Sequence, residues 1–211
     1  MKLYGFPPSP RTWSVRAVAA QLGVPVEFVS IDLTKGQQHA PDYRAINPTG
    51  RAPALVDGDF KLWEATAIMH YLAGQKPTTL WPDDMRTRAD IVRWQSWHLS
   101  HWEKESCAPL LFERIVKQLV GAGAPDEANV ARALGNFARD AKVLDAHLAR
   151  QPYLVGQTLT LADFSVAGPL MYAEQAGMPV ADYPKLHEWF GRVAALPCWK
   201  DTAPQPAAAA A

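Results

Sequence analysis

The chain predicts an α/β domain followed by an all-α helical domain. Three features of its text carry that expectation. Residues 1–75 are short apolar runs separated by turn residues, whereas from residue 85 onward the apolar positions recur every three or four. Between them, KPTTLWPDD at 76–84 holds two prolines and neither pattern. The expected organisation is therefore a first domain over 1–75, a linker over 76–84, a helical domain over 85–203 and a flexible tail over 204–211.

The elements follow in order. Residues 2–5 read as a strand, and residues 12–22 as a helix closed by Gly23 at its C-cap. PVEFVSI at 25–31 alternates and is rich in β-branched residues, the pattern of a second strand. Ala54-Leu55-Val56 and Phe60-Lys61-Leu62 flank Asp57-Gly58-Asp59, a hairpin signal because Gly58 tolerates positive φ. A helix is expected over 64–73. The order β-α-β-(α)-β-β-α is that of a thioredoxin-like fold, although periodicity alone supports only a small α/β domain. In the second half, Val130, Leu134, Phe137, Ala141, Leu144 and Leu148 form one apolar stripe on a helix of about six turns. Thr160-Leu161-Ala162-Asp163 fits a capping box, with Leu159 and Phe164 placed as its hydrophobic staple. The helix it opens is apolar through Ala173 and so expected at the centre. Pro184 begins a last long helix carrying Leu186, Trp189, Phe190 and Val193.

Composition narrows the function classes. Apolar residues make up 48% and charged residues 20%, the balance of an ordinary folded protein. Lys plus Arg and Asp plus Glu are both 21, so no net charge argues for a nucleic-acid or anionic-membrane partner. Cys107 and Cys198 make no CxxC and read as small core residues. The first residues lack the apolar core of a signal peptide, and no run reaches the roughly 18 apolar residues of a membrane span. A cytoplasmic location is the expectation.

Asn47-Pro48-Thr49-Gly50-Arg51-Ala52-Pro53-Ala54-Leu55 is followed by Leu62-Trp63-Glu64-Ala65-Thr66-Ala67-Ile68-Met69-His70-Tyr71-Leu72, and later by Tyr153-Leu154-Val155-Gly156 and Ala162-Asp163. In this order and spacing they resemble the cytosolic glutathione S-transferases, which read NPxGxVPxL and then LxESxAIxxYL. The likeness covers nearly the whole chain. Gly5-Phe6-Pro7-Pro8-Ser9-Pro10-Arg11-Thr12-Trp13-Ser14-Val15-Arg16 is similar to GxPxSxxTxRV of the serine-type phi and theta members, and a bacterial member of that kind is the expectation.

The resemblance implies a site. Pro53 would be cis, presenting the backbone of Ala52 to the cysteinyl unit of glutathione as one rung of a sheet. Glu64 would take the γ-glutamyl amine. The next residue in the family, a hydroxyl residue that takes the γ-glutamyl carboxylate, is here Ala65. His39 and Arg51 are candidates for the glycine carboxylate. Ser9 falls on the catalytic serine, which holds the glutathione sulfur as thiolate through a hydrogen bond, helped by the positive end of the helix after it and by Arg11. Ser9 also reads as an ordinary N-cap, and the two readings are compatible. Tyr4 and Ser14 are weaker candidates for the same role. An electrophile pocket is expected from Arg11 with Trp97, His101 and Trp102 in the aromatic stretch RWQSWHLSHW, where Trp94, His98, His101 and Glu105 recur at helical spacing. The same aromatics read equally as core or as a dimer seam.

The implied function is conjugation of the glutathione thiolate to an electrophilic small molecule, with glutathione as co-substrate, no metal, and a homodimer. Glutathione-dependent peroxidase, dehalogenase or disulfide reductase chemistry is the alternative within the family. A non-catalytic member, its transferase-like fold used as a binding module or assembly partner, is the second alternative.

Overall fold

The computed structural model describes residues 1–204, so all of the expected tail except Pro204 lies outside the described residues. The described residues divide into two compact units, Thr79–Ala194 forming one and Met1–Thr78 with residues 195–204 forming the other.

The first unit is built on a four-stranded mixed sheet of order β2-β1-β3-β4, with β1 Lys2–Gly5, β2 Glu27–Ser30, β3 Ala54–Asp57 and β4 Phe60–Trp63. β1 runs parallel to β2 and antiparallel to β3, and β3 and β4 form the hairpin turned by Gly58 at φ 60. Leu3 stands opposite both Phe28 and Leu55, and Leu3 and Leu55 are wholly buried. Two helices supply the other half of this core and pack on each other: α1, Pro10–Leu22, through Val15, Val18 and Leu22, and α3, Ala65–Ala73, through Ile68, Met69 and Leu72. A four-residue helix α2, Pro41–Arg44, lies between β2 and β3. α1 starts two residues earlier than the apolar pattern indicates, because Pro10 is pre-set for the first helical position. Gly23 closes it in the left-handed conformation at φ 61.

The second unit is helical. A run of helix opens at α4, Met85–Trp97, capped by Asp84, whose carboxylate accepts from Thr87 N at 2.7 Å. It continues through a π-helical stretch His98–Cys107, α5 Ala108–Leu111, a second π-helical stretch Phe112–Val116 and α6 Lys117–Leu119. α7, Glu127–Leu148, buries the predicted stripe except at Leu134, which is half-buried and yields its place to Ala133. The helix expected to run to Ala173 is shorter: α8 covers Leu161–Ala167, and a 3-10 turn at Gly168–Tyr172 follows, because Pro169 has no N–H to continue the α pattern. α8 is nonetheless central, with every residue buried. α9, Pro184–Ala194, completes this unit.

The expected domain boundary is corrected at the C-terminus. Residues 195–203, assigned from the sequence to the helical domain, belong to the first unit, and α10, Pro197–Asp201, packs on α1. The cause is Trp199, whose ring lies 4.6 Å from that of Trp13.

Candidate functional site

Arg11, Asn47, Arg51, Ala52, Pro53, Glu64 and Ala65 line one pocket of the first unit. Five of the six residues expected around glutathione are therefore brought together. The sixth, His39, is exposed on a 3-10 turn Gln37–His39, where its ring meets Gln38, and does not line the pocket. Arg11, placed from the sequence in the electrophile pocket, instead lines this one and pairs with Glu64 at 3.7 Å. Both side chains remain substantially exposed, so the pair itself stabilises by about 1 kcal/mol at most. A ligand replacing it loses little.

Each wall has a local cause. The Ala52–Pro53 bond is cis. The loop before it is held by Asn47, which is buried and takes three hydrogen bonds: Nδ2 donates to Arg51 O at 2.7 Å, and Oδ1 accepts from Thr49 N and Oγ1 at 3.0 and 2.7 Å. Tyr43 adds a bond from its hydroxyl to the same Arg51 carbonyl at 2.6 Å, and burial pushes its pKa up to about 12, so it stays a donor. Gly50 at φ 64 permits the turn, and a Cβ there would lie 2.9 Å from Arg44 Nη1. On the opposite side Glu64 precedes α3 at φ 73 and ψ 120, the one non-glycine residue at positive φ among the described residues. That conformation costs about 1–3 kcal/mol and marks the residue as one held for a purpose other than stability.

Ser9 caps α1 from the turn after β1. Its Oγ accepts from Thr12 N at 3.5 Å, beyond the usual range for such a bond, so the capping contact is loose. The hydroxyl proton is not used by this contact. The first turn of α1 holds no acidic residue to offset the positive end of the helix. Ser14 is buried and its hydroxyl donates to Pro10 O at 3.1 Å, which commits it to the helix backbone. Tyr4 packs edge-on against Tyr43. Ser9 is the hydroxyl of the three that sits at the N-terminus of α1, and its capping bond is long.

The expected electrophile residues of the second unit do not form one face. Trp102 is wholly buried and donates from Nε1 to Val166 O at 3.0 Å, making it a core residue. His101 is exposed and pairs with Glu105 at 3.9 Å, whereas Trp94 and His98 are buried. The π-helical stretch resets the spacing: His98 reaches Glu103, five residues on, at 3.3 Å. Trp97 is half-buried, stacks on Trp102, and lines a pocket with Arg93, Trp94, Val143, His147 and Arg150. Both cysteines are buried, and burial raises the pKa of each, which disfavours the thiolate.

Among the described residues no group of three or more His, Cys, Asp or Glu could hold a metal ion, and no helix is long and apolar enough to cross a membrane.

A mixed sheet whose cis-proline loop faces the start of a helix, joined to a helical unit, defines the thioredoxin-like class with a helical extension. Comparison with known proteins narrows it further. The glutathione S-transferase N-terminal domain model matches residues 1–74, and the glutathione S-transferase C-terminal domain model matches 127–192. Glutathione S-transferase 3 of Zea mays is 38% identical over 207 residues, covering 96% of this chain and 92% of its own. Glutathione S-transferase theta-2B of Homo sapiens is 33% identical over 187 residues, covering 87% of this chain and 76% of its own. The solved structure of glutathione S-transferase I from mais, in complex with an atrazine glutathione conjugate, superposes with a TM-score of 0.87 at 25% identity, covering 95% of each chain. The chain belongs to the glutathione S-transferase family.

Proposed function

We propose that this enzyme joins the thiolate of glutathione to an electrophilic carbon of a small molecule. One observation carries the reading: the pocket gathers two guanidinium groups, Arg11 and Arg51, and one carboxylate, Glu64. Glutathione presents the opposite set, two carboxylates and one ammonium. Arg51 is suited to a bidentate contact with one carboxylate, and the N-terminus of α3 at Ala65 offers backbone N–H groups to the other. Ala52 pairs with the cysteinyl unit, which leaves the sulfur toward Ser9.

A free thiol, with a pKa near 8.5, is only a few per cent thiolate at neutral pH. Ser9 donating to sulfur and the N-terminus of α1 both favour the charged form. The thiol proton leaves to solvent, the sulfur–carbon bond forms, and the leaving group departs with its electron pair. Catalysis is thiolate stabilisation together with orientation. The placement of Ser9 at the N-terminus of α1 and the relatives of theta kind favour a serine-type, phi/theta-like assignment, and we place the protein as a bacterial homodimer working in the cytoplasm without a metal.

Ser9→Ala tests the mechanism. A two-unit rise in the pKa of the bound thiol corresponds to about 2.7 kcal/mol, so turnover near neutral pH falls about 100-fold and recovers at high pH, with KM for glutathione little changed. Unchanged turnover in a folded Ser9→Ala enzyme would remove Ser9 from the chemistry.

A further inference from the structure

We propose that the C-terminal helix α10 is a positioning strap that holds the first turn of α1, and so Ser9, in the geometry the thiolate needs; this rests on the role given to Ser9 above. Trp13 connects the two ends of the chain. Its backbone N–H donates to Ser9 O at 2.9 Å, the hydrogen bond that starts α1. Its indole Nε1 donates to Trp199 O at 2.9 Å and to Thr202 Oγ1 at 3.0 Å, across more than 180 residues of sequence. Thr202 Oγ1 in turn donates to Cys198 O at 2.7 Å, which fixes it as an acceptor for the indole. The Trp13 and Trp199 rings lie 4.6 Å apart, and both side chains are buried.

The route from α10 to Ser9 is therefore one residue long. The Ser9 backbone is also tied locally, its N–H donating to Phe6 O at 2.9 Å, but the capping bond of its side chain is a loose 3.5 Å, so the hydroxyl depends on the first turn for its alignment. A sulfur–hydroxyl hydrogen bond is directional, and a first turn free to fray would lose alignment before it lost its place in the fold. The strap lies beyond residue 192, where the match to the family's C-terminal domain ends. It belongs to the unit that holds the pocket.

Two full-length variants test it. Trp13→Phe keeps a ring against Trp199 and removes both indole hydrogen bonds. Thr202→Val removes one and keeps the volume. The pKa of the glutathione thiol on the enzyme, followed by the ultraviolet absorbance of the thiolate through a pH titration, is expected to rise by about one unit in Trp13→Phe, lowering kcat near neutral pH about tenfold. Thr202→Val moves it in the same direction by less. KM for glutathione stays within about twofold, because Glu64 and Arg51 are untouched. In Ser9→Ala, adding Trp13→Phe produces no further shift, because the strap acts through Ser9. A merely structural contact would lower the melting temperature and leave the thiol pKa in place, and that result in both folded variants overturns the proposal. No thiolate absorbance with the wild-type enzyme would instead overturn the transferase reading, and the strap with it.

Discussion

Glu64 stands where local stability and ligand binding pull in opposite directions. Its φ of 73 is costly for any side chain with a Cβ, and its carboxylate pairs with a half-exposed Arg11. Glycine adopts that conformation freely, at an entropic cost of roughly 0.5–1 kcal/mol, against relief of about 1–3 kcal/mol of strain. Glu64→Gly is thus expected to stabilise the protein by about 1 kcal/mol while abolishing glutathione binding, read by thermal melting and by calorimetry. A less stable Glu64→Gly would mean the backbone there is not strained. Arg51, Ala52, Pro53 and Glu64 were legible because two closely spaced motifs, 47–55 and 62–72, carry them. Tyr43 was not: its bond to Arg51 O joins residues eight apart through a loop with no periodic pattern. Asn47 was visible within the motif, but its work in holding the Arg51 carbonyl requires the folded turn.

At the scale of the element, the capping box shows how a local signal can conceal a wider network. Asp163 accepts from Thr160 N, as the four-residue pattern predicts, and from Thr160 Oγ1 as well. It also accepts from Leu154 N at 2.9 Å and from Trp189 Nε1 at 2.9 Å, which ties α8 to the loop before it and to α9. Burial raises its pKa, and these hydrogen bonds work against that rise. Asp163→Ala leaves several buried donors unpaired at about 1–3 kcal/mol each, and since such losses are not additive the expected destabilisation is about 3–5 kcal/mol in urea unfolding. A loss below about 1 kcal/mol would reduce Asp163 to an ordinary helix cap. The aromatic stretch misled for the opposite reason. Its three- and four-residue spacing assumes an α-helix, and the π-helical turn from His98 places Trp102 in the core and His101 in solvent.

At the scale of the molecule, two units with different sequence grammar were legible because strand and helix periods differ. The return of residues 195–204 to the first unit was not, since it depends on Trp13 meeting Trp199. Homodimer assembly, implied by the family, predicts a particle of twice the chain mass in sedimentation at micromolar concentration; a particle of single mass contradicts it. The pocket of Arg11, Arg51, Glu64 and Ala65 is expected to bind glutathione with one hydroxyl fewer than the family pattern. A hydroxyl contact to a charged group contributes roughly 1.5–3 kcal/mol. Calorimetric titration of glutathione into the wild type and Ala65→Ser tests this most directly. The wild type is expected to bind in the micromolar to low-millimolar range, tightened about 10- to 100-fold by the added serine. Undetectable binding by both proteins would contradict it, and would leave a glutathione S-transferase fold serving as a binding module for something else.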